Sequence, residues 1–318
     1  MATSGSSDFA VTRDQIIKKA AVKIKAIAAG ATLDNQTQVD FSLELNAIVK
    51  GWAAIGHHVW TINEATLFPA VSQGRYALSA TSSDHCTDTY DYQTTTLSAA
   101  EASGQTVLSV TSSADMAASD YVGIVMDDGS LHWSTISSVD SSTQITIADA
   151  TDDDAASGNY VFGYTTKIVR PLKITAARRY NYETGDSSLI TPIARIDYQD
   201  LTTKEDTGVV NQFFYDQQAS IGYLNLWYEP EDLDELVRFT YHRPIEDFDA
   251  AGNNPDFPQE WYGALWWNLA LAMAPEYDVP TDKFRQIADM AVMNLGLVTG
   301  YDREVEDVQF APDMTGYE

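Results

Sequence analysis

The side chains best suited to chemistry in this chain are five histidines, one cysteine and several runs of aspartate. His57-His58 is the one adjacent imidazole pair. Neighbours on a helix point about 100° apart, so two such rings do not converge on one metal ion. A solvated helix end accounts for the pair. His85-Cys86 sits in a Thr/Ser/Asp loop. One imidazole and one thiol fall short of a zinc ligand set, and no third residue is spaced to orient a thiolate–imidazole pair. His132 alternates with Trp133 and reads as packing or surface. Asp127-Asp128-Gly129 and Asp152-Asp153-Asp154 lack the alternate-position ligands of a calcium loop, and read as turns. Glu229-Pro230-Glu231-Asp232 reads as a turn between strands. The chain has no phosphate-binding glycine loop, no G-x-S-x-G and no H-E-x-x-H. Paired carboxylates for glycoside hydrolysis need only converge in space, and none stands out among so many. No catalytic residue, cofactor or metal ligand is assigned.

Charge narrows the class of partner. Against 46 acidic residues stand 19 basic ones, a net charge of −27. Such a field repels nucleic acid and argues against a sequence reader. It suits a channel wall past which DNA slides without sticking, and equally a protein kept soluble by its acidity. The single Cys86 excludes an internal disulfide and fits synthesis in a reducing cytoplasm. The start, MATSGSSDFA, shows no basic and apolar leader, so no signal peptide is expected. No apolar run reaches the roughly 18 residues of a membrane span.

The elements that must position these residues are helical at both ends of the chain. Thr12 and Gln15 form a capping box for a helix over 12–29, with Ile16, Ile17, Ala20, Ile24, Ile27 and Ala28 on its apolar side and Gly30 as its stop. A second helix is expected over 35–58, with Val39, Leu43, Leu45, Ile48, Val49 and Trp52 in its apolar stripes. Between Arg75 and Lys167 there are 13 acidic residues and no basic one. Short alternating runs there, at 106–110, 121–126, 131–136, 143–147 and 159–164, predict a small barrel or sandwich. Longer aromatic strands follow at 167–176, 189–198, 209–215, 221–228 and 236–242. A helix capped by Asp256 and Gln259 covers 257–274, and another covers 281–299, ending at Gly300. From Trp261 to Ala274 only Gly263 and Asn268 interrupt apolar residues. A helix without a polar face must be covered on every side, either in a bundle or in a subunit interface. The expected class is α+β: a helical bundle from the N- and C-terminal helices, an antiparallel β sheet, and an inserted β barrel or sandwich. The expected divisions are 1–87 (arm and two bundle helices), 88–165 (inserted β module), 166–245 (antiparallel β region), 246–300 (bundle helices) and 301–318 (tail).

One passage resembles a known family. The phrase from Tyr241 to Trp261, YHRPIEDFDAAGNNPDFPQEW, followed by the apolar helix and Ala274-Pro275-Glu276-Tyr277, is similar to the head-to-tail adaptor (connector) proteins of short-tailed bacteriophages. The resemblance is strongest over 168–312, extends over 9–75 and leaves out 88–165. It implies a structural virion protein rather than an enzyme: a ring of about twelve subunits, on the order of 400 kDa for a 35.0 kDa chain. It implies two partners, a portal protein and a tail hub or nozzle protein, with DNA passing through without specific binding. It further implies a place at the head-to-tail interface of the virion after synthesis in the bacterial host, and a tail segment that reaches toward the portal. The inserted β module departs from the smallest family members and is assigned a docking role for tail fibres. Expected interface residues are Trp261, Trp266 and Trp267 as aromatic anchors, Arg178 and Arg179, the lysines Lys18, Lys19, Lys23 and Lys25, and Phe310, Met314 and Tyr317 of the tail. For each the plainer reading is core packing, an ion pair within the chain, or a solvated end. The rivals from other classes are a tail-associated glycan hydrolase and a glycan-binding adhesion module.

Overall fold

The first two helices of the computed structural model are α1 (Arg13–Lys23) and α2 (Asn35–Ile55). Residues 8–55 and 59–300 are described; the tail from Tyr301, with Phe310, Met314 and Tyr317, and the pair His57-His58 lie outside them. Strands follow: β1 (Ile62–Leu67), β2 (Arg75–Leu78), β3 (Cys86–Asp88), β4 (Tyr92–Thr96), β5 (Val107–Ser109), β6 (Tyr121–Val125), β7 (Leu131–Ser141), β8 (Gln144–Ile147), β9 (Tyr160–Tyr164), β10 (Lys173–Asn181) and β11 (Ser187–Pro192). Then come a short helix α3 (Arg195–Asp200), β12 (Thr207–Gly208), β13 (Gln212–Gln217), β14 (Gly222–Trp227), β15 (Glu229–Pro230), β16 (Glu235–His242), α4 (Tyr262–Met273) and α5 (Thr281–Thr299). No helix among the described residues is long and apolar enough to cross a membrane.

The expected α+β class with a helical bundle as its frame is corrected. Sixteen strands against five helices among the described residues make the fold mostly β. The helical ends had weighed too heavily, because a 19-residue helix such as α5 is conspicuous in sequence and sixteen short strands are not. Part of the deficit lies at 62–88, where the sequence reading placed no strand and three occur. β1 carries Glu64 in its middle, which breaks its alternation on paper, yet Glu64 is paired with Arg178 across the sheet. The expected strand at 189–198 stops at Pro192, and the chain turns into α3.

The chain divides into two compact units. The larger, Ile62–Pro244, holds an eight-stranded sheet in the order β2-β14-β13-β11-β10-β16-β1-β3 and a six-stranded one in the order β4-β9-β6-β7-β8-β5. The six-stranded sheet curls on itself. Leu97 and Val110, just past β4 and β5, form an antiparallel bridge, and Ser98 N–H donates to Ser109 O at 2.8 Å. Inside this near-barrel, Leu108, Val122, Ile124, Ile136, Ile145 and Val161 are buried together. Gly129, at φ 81°, makes the turn from β6 to β7 where Asp127-Asp128-Gly129 had indicated one. The eight-stranded sheet has blunt ends. At β2, Asp84 Oδ2 accepts the Ala77 N–H at 2.6 Å and Gln73 Nε2 donates to Arg75 O at 2.9 Å. At β3, Cys86 O accepts the Ile168 N–H at 3.0 Å.

An aromatic junction joins the near-barrel to the sheet within this unit. Phe68 sits among Tyr92, Trp133, Phe162 and Tyr164, with ring centres 5.3–5.8 Å away. The His85 ring lies flat on Trp133 at 3.7 Å, and its Nδ1 is 2.6 Å from the Tyr164 hydroxyl. Gly123 on β6 leaves room for this indole, since a Cβ there would stand 2.8 Å from the Trp133 ring.

The smaller unit contains the four long helices. α1 opens as the capping box foretold, with Gln15 Oε1 accepting the Thr12 N–H at 3.2 Å. It ends at Lys23, six residues short of expectation, because Lys25 turns left-handed at φ 61° and Ala26 N–H bonds back to Ala21 O. Ile16, Ile17, Phe41, Leu45, Val49, Leu265 and Leu269 form one buried cluster from α1, α2 and α4.

Candidate interaction surface

The apolar helix α4 is covered by its own chain. Leu265, Leu269, Ala270 and Met273 are buried, and α1, α2 and α5 all pack on it. Gly263 allows α5 close, for a Cβ there would meet Asn294 Oδ1 at 2.8 Å. Of the three expected anchors, Trp261 is buried, with Trp60, Trp52 and Phe257 ring centres at 5.1, 5.5 and 5.7 Å. Trp60 Nε1 donates to Asp256 O at 3.0 Å, which satisfies its one polar atom. Trp266 and Trp267 are half-buried at the rim of the same core.

Of the lysines on and just past α1, Lys23 stands on that rim. The Lys23 ammonium lies 3.4 Å from the centre of the Trp267 ring, a cation–π contact. Burial, and then repulsion from Lys19 and Lys283, holds its pKa below the ordinary lysine value. Lys18 is half-buried, while Lys19 and Lys25 are exposed. Among the described residues no carboxylate pairs with any of these four lysines or with Lys283. A groove of about 160 Å³ runs beside them, lined by Lys23, Trp267, Lys283, Gln286, Ile287 and Met290.

The two expected interface arginines are engaged within the chain. Arg178 pairs with Glu64, and Arg179 Nη1 reaches Glu235 Oε2 at 3.2 Å. They are consecutive on β10 and so point to opposite faces of the sheet. Arg179 and Glu235 border a cleft of about 140 Å³ that also gathers Asn181, Glu231, Asp232 and Asp234.

The side chains that could have done chemistry are placed as turn acceptors and packing groups. Asp127 Oδ1 accepts from Asn159 Nδ2 and from the Ala156 N–H, Asp154 Oδ1 accepts the Ser103 N–H, and Asp128 Oδ1 the Ser130 N–H. Asp152 lies 2.7 Å from Nδ1 of the buried His132. Among the described residues no cluster of three or more His, Cys, Asp or Glu is disposed to hold a metal ion. His85 and Cys86 face different cores: the thiol is buried with β1 and β10 residues and its pKa is pushed well up by burial.

His85 carries a pH dependence of stability. Burial first, then the Lys167 charge, lowers its pKa to about 3. An unfolded imidazole titrates near 6.5, so below that value the unfolded chain binds the extra proton. Stability therefore falls as pH drops from 6.5 toward 3. A His85→Gln variant should show a flatter profile than the parent in urea melts across this window. Identical slopes would remove His85 from this role.

A further exposed surface of the helical unit is the outer face of α2. Phe41, Leu45, Val49 and Trp52 point inward, and Val39 and Leu43 point out with exposures of 52% and 66%; Ile55, the last residue of the helix, is 72% exposed about 120° round from Leu43. Ala47 and Ala54 lie between them and are also exposed. The two stripes interleave in the sequence, which groups Val39 and Leu43 with the core positions. Helical angle separates them, since residues 39, 43, 47 and 54 fall along one line. This side of α2 thus carries exposed apolar residues among the polar Gln36 and Lys50. Searches against protein-family models and against curated proteins give no match for the chain.

Proposed function

We propose that this chain is a structural protein of a short-tailed phage particle, a head-to-tail adaptor whose copies close into a ring between the portal and the tail hub. The observation that carries the reading is the bare apolar face of α2. The all-round apolar helix α4 no longer argues for a subunit interface, because its own chain covers it. Val39, Leu43, Ala47 and Ala54 are left bare on α2, as Met293 and Leu297 are on α5. Docking that face on a different surface of the next copy is a heterologous contact, and such contacts close into rings when the rotation permits. The resemblance of the Tyr241–Trp261 phrase to phage adaptors supplies the direction of the reading, and the net charge of −27 suits a bore through which DNA passes without being held. The test is native mass measurement of the protein alone and on a portal ring. A closed oligomer of about twelve copies in either state agrees with the proposal; single copies scattered on the portal would sink it.

A further inference from the structure

We infer that the lysine-rimmed groove between α1, α4 and α5 is the seat of the chain's own acidic segment 301–318, folded back along α5. The inference does not rest on the adaptor reading. Three observations point to it. First, the groove collects positive charge in an acidic protein: Lys19 and Lys283 both stand near enough to the Lys23 ammonium to lower its pKa. Lys23 and Lys283 line the groove itself, and no carboxylate among the described residues answers them. Second, segment 301–318 has the complementary composition. It carries six carboxylates against one arginine, together with Val305, Val308, Phe310 and Met314.

Third, a track connects the two. Lys283, Gln286, Met290, Met293 and Leu297 alternate in steps of three and four, which puts them along one face of α5. The half nearest Gly300 is apolar, and Met293 and Leu297 are 51% and 69% exposed. The far half is the basic groove with Trp267 at its floor. From Gly300 back to Lys283 is about 25 Å of helix. Eighteen residues span up to about 60 Å when extended, enough to turn and run the length of the track. Apolar side chains of the segment would cover Met293 and Leu297, and its carboxylates would reach Lys23, Lys283 and Lys19. Closing the groove this way also relieves the mutual repulsion of those three ammonium groups.

The test is zero-length carbodiimide coupling on the full chain, using an equal mixture of ¹⁴N- and ¹⁵N-labelled protein and reading isopeptide links by mass spectrometry. The expected result is links from Lys19, Lys23 or Lys283 to carboxylates in 302–318, all within one isotope. A Lys23→Glu/Lys283→Glu variant should lower the Lys19 links about fivefold or more, and Lys283→Gln alone should lower them less. Links of mixed isotope would show that a second copy's segment fills the groove, and would overturn the inference. So would lysines that couple only to carboxylates of the folded elements, or a double variant whose Lys19 links persist unchanged.

Discussion

Under the proposed function, Leu43→Glu should weaken ring assembly by about tenfold or more and leave the fold as it was. The side chain is 66% exposed, so little burial is lost when it changes. Substitutions at such positions move stability by about 0.5 kcal/mol or less, a shift in Tm of roughly 2 °C at most for a chain of this size. A carboxylate in the centre of an apolar contact has no partner and resists desolvation, so assembly on the portal should drop by about tenfold or more. Phe41→Ala is the internal comparison. Two residues away on the same helix, Phe41 is fully buried, and its truncation should cost about 3–5 kcal/mol in urea melts. Two measurements, thermal unfolding and sedimentation with the portal, therefore separate the two faces of α2. Normal assembly by Leu43→Glu would mean that the outer face is idle and would remove the observation that carries the proposed function.

Phe68→Ala should destabilise the larger unit by about 3–5 kcal/mol. Phe68 is buried among four aromatic rings, and some of those rings belong to the near-barrel while Phe68 itself follows β1 of the main sheet. Removing it opens a cavity in the cluster that Phe68 and Leu236 share with Phe162 and Tyr164. Phe68→Leu refills most of that volume and should cost clearly less. Equilibrium denaturation of both variants gives the comparison, and equal losses would mean that ring geometry at the junction does not matter. The same junction bears on excision of 88–165. A short Gly/Ser bridge would leave Phe68 and Leu236 open to water, so those two positions need polar replacements in any such variant.

The parts of this protein that could be read from its sequence are those where local chemistry suffices. The turn at Gly129, the Thr12–Gln15 cap and the full extent of α5 depend on neighbours a few residues away. What escaped depends on distant partners. β1 finds its place only by pairing Ile62 with His242 and Leu67 with Val237, and nothing between 62 and 67 announces that. Trp261 could be seen to need cover, but composition does not say whether Trp52 and Phe257 of the same chain or a second copy would provide it. Leu43 shows the opposite failure: its type and spacing match the core stripe, and only the packing of α1 and α4 against the other side leaves it bare. The groove around Lys23 was half legible. Lys23 stands out in the sequence as one of four lysines within eight residues, whereas Trp267 and Lys283 join it only through the fold.

The blunted ends of the eight-stranded sheet bear on how copies of this chain tolerate crowding. A bare strand edge recruits the edge of any neighbour, and proteins held close together are the ones most exposed to that hazard. Here β2 is four residues long and its outward amide at Ala77 is occupied by Asp84, while Gln73 takes the carbonyl of Arg75. β3 spends its Cys86 carbonyl on Ile168, and the curled six-stranded sheet joins its own first and last strands through Leu97 and Val110. The outer strands β2 and β3 thus each have a backbone group already engaged within the chain, which weakens them as templates for backbone addition by another molecule.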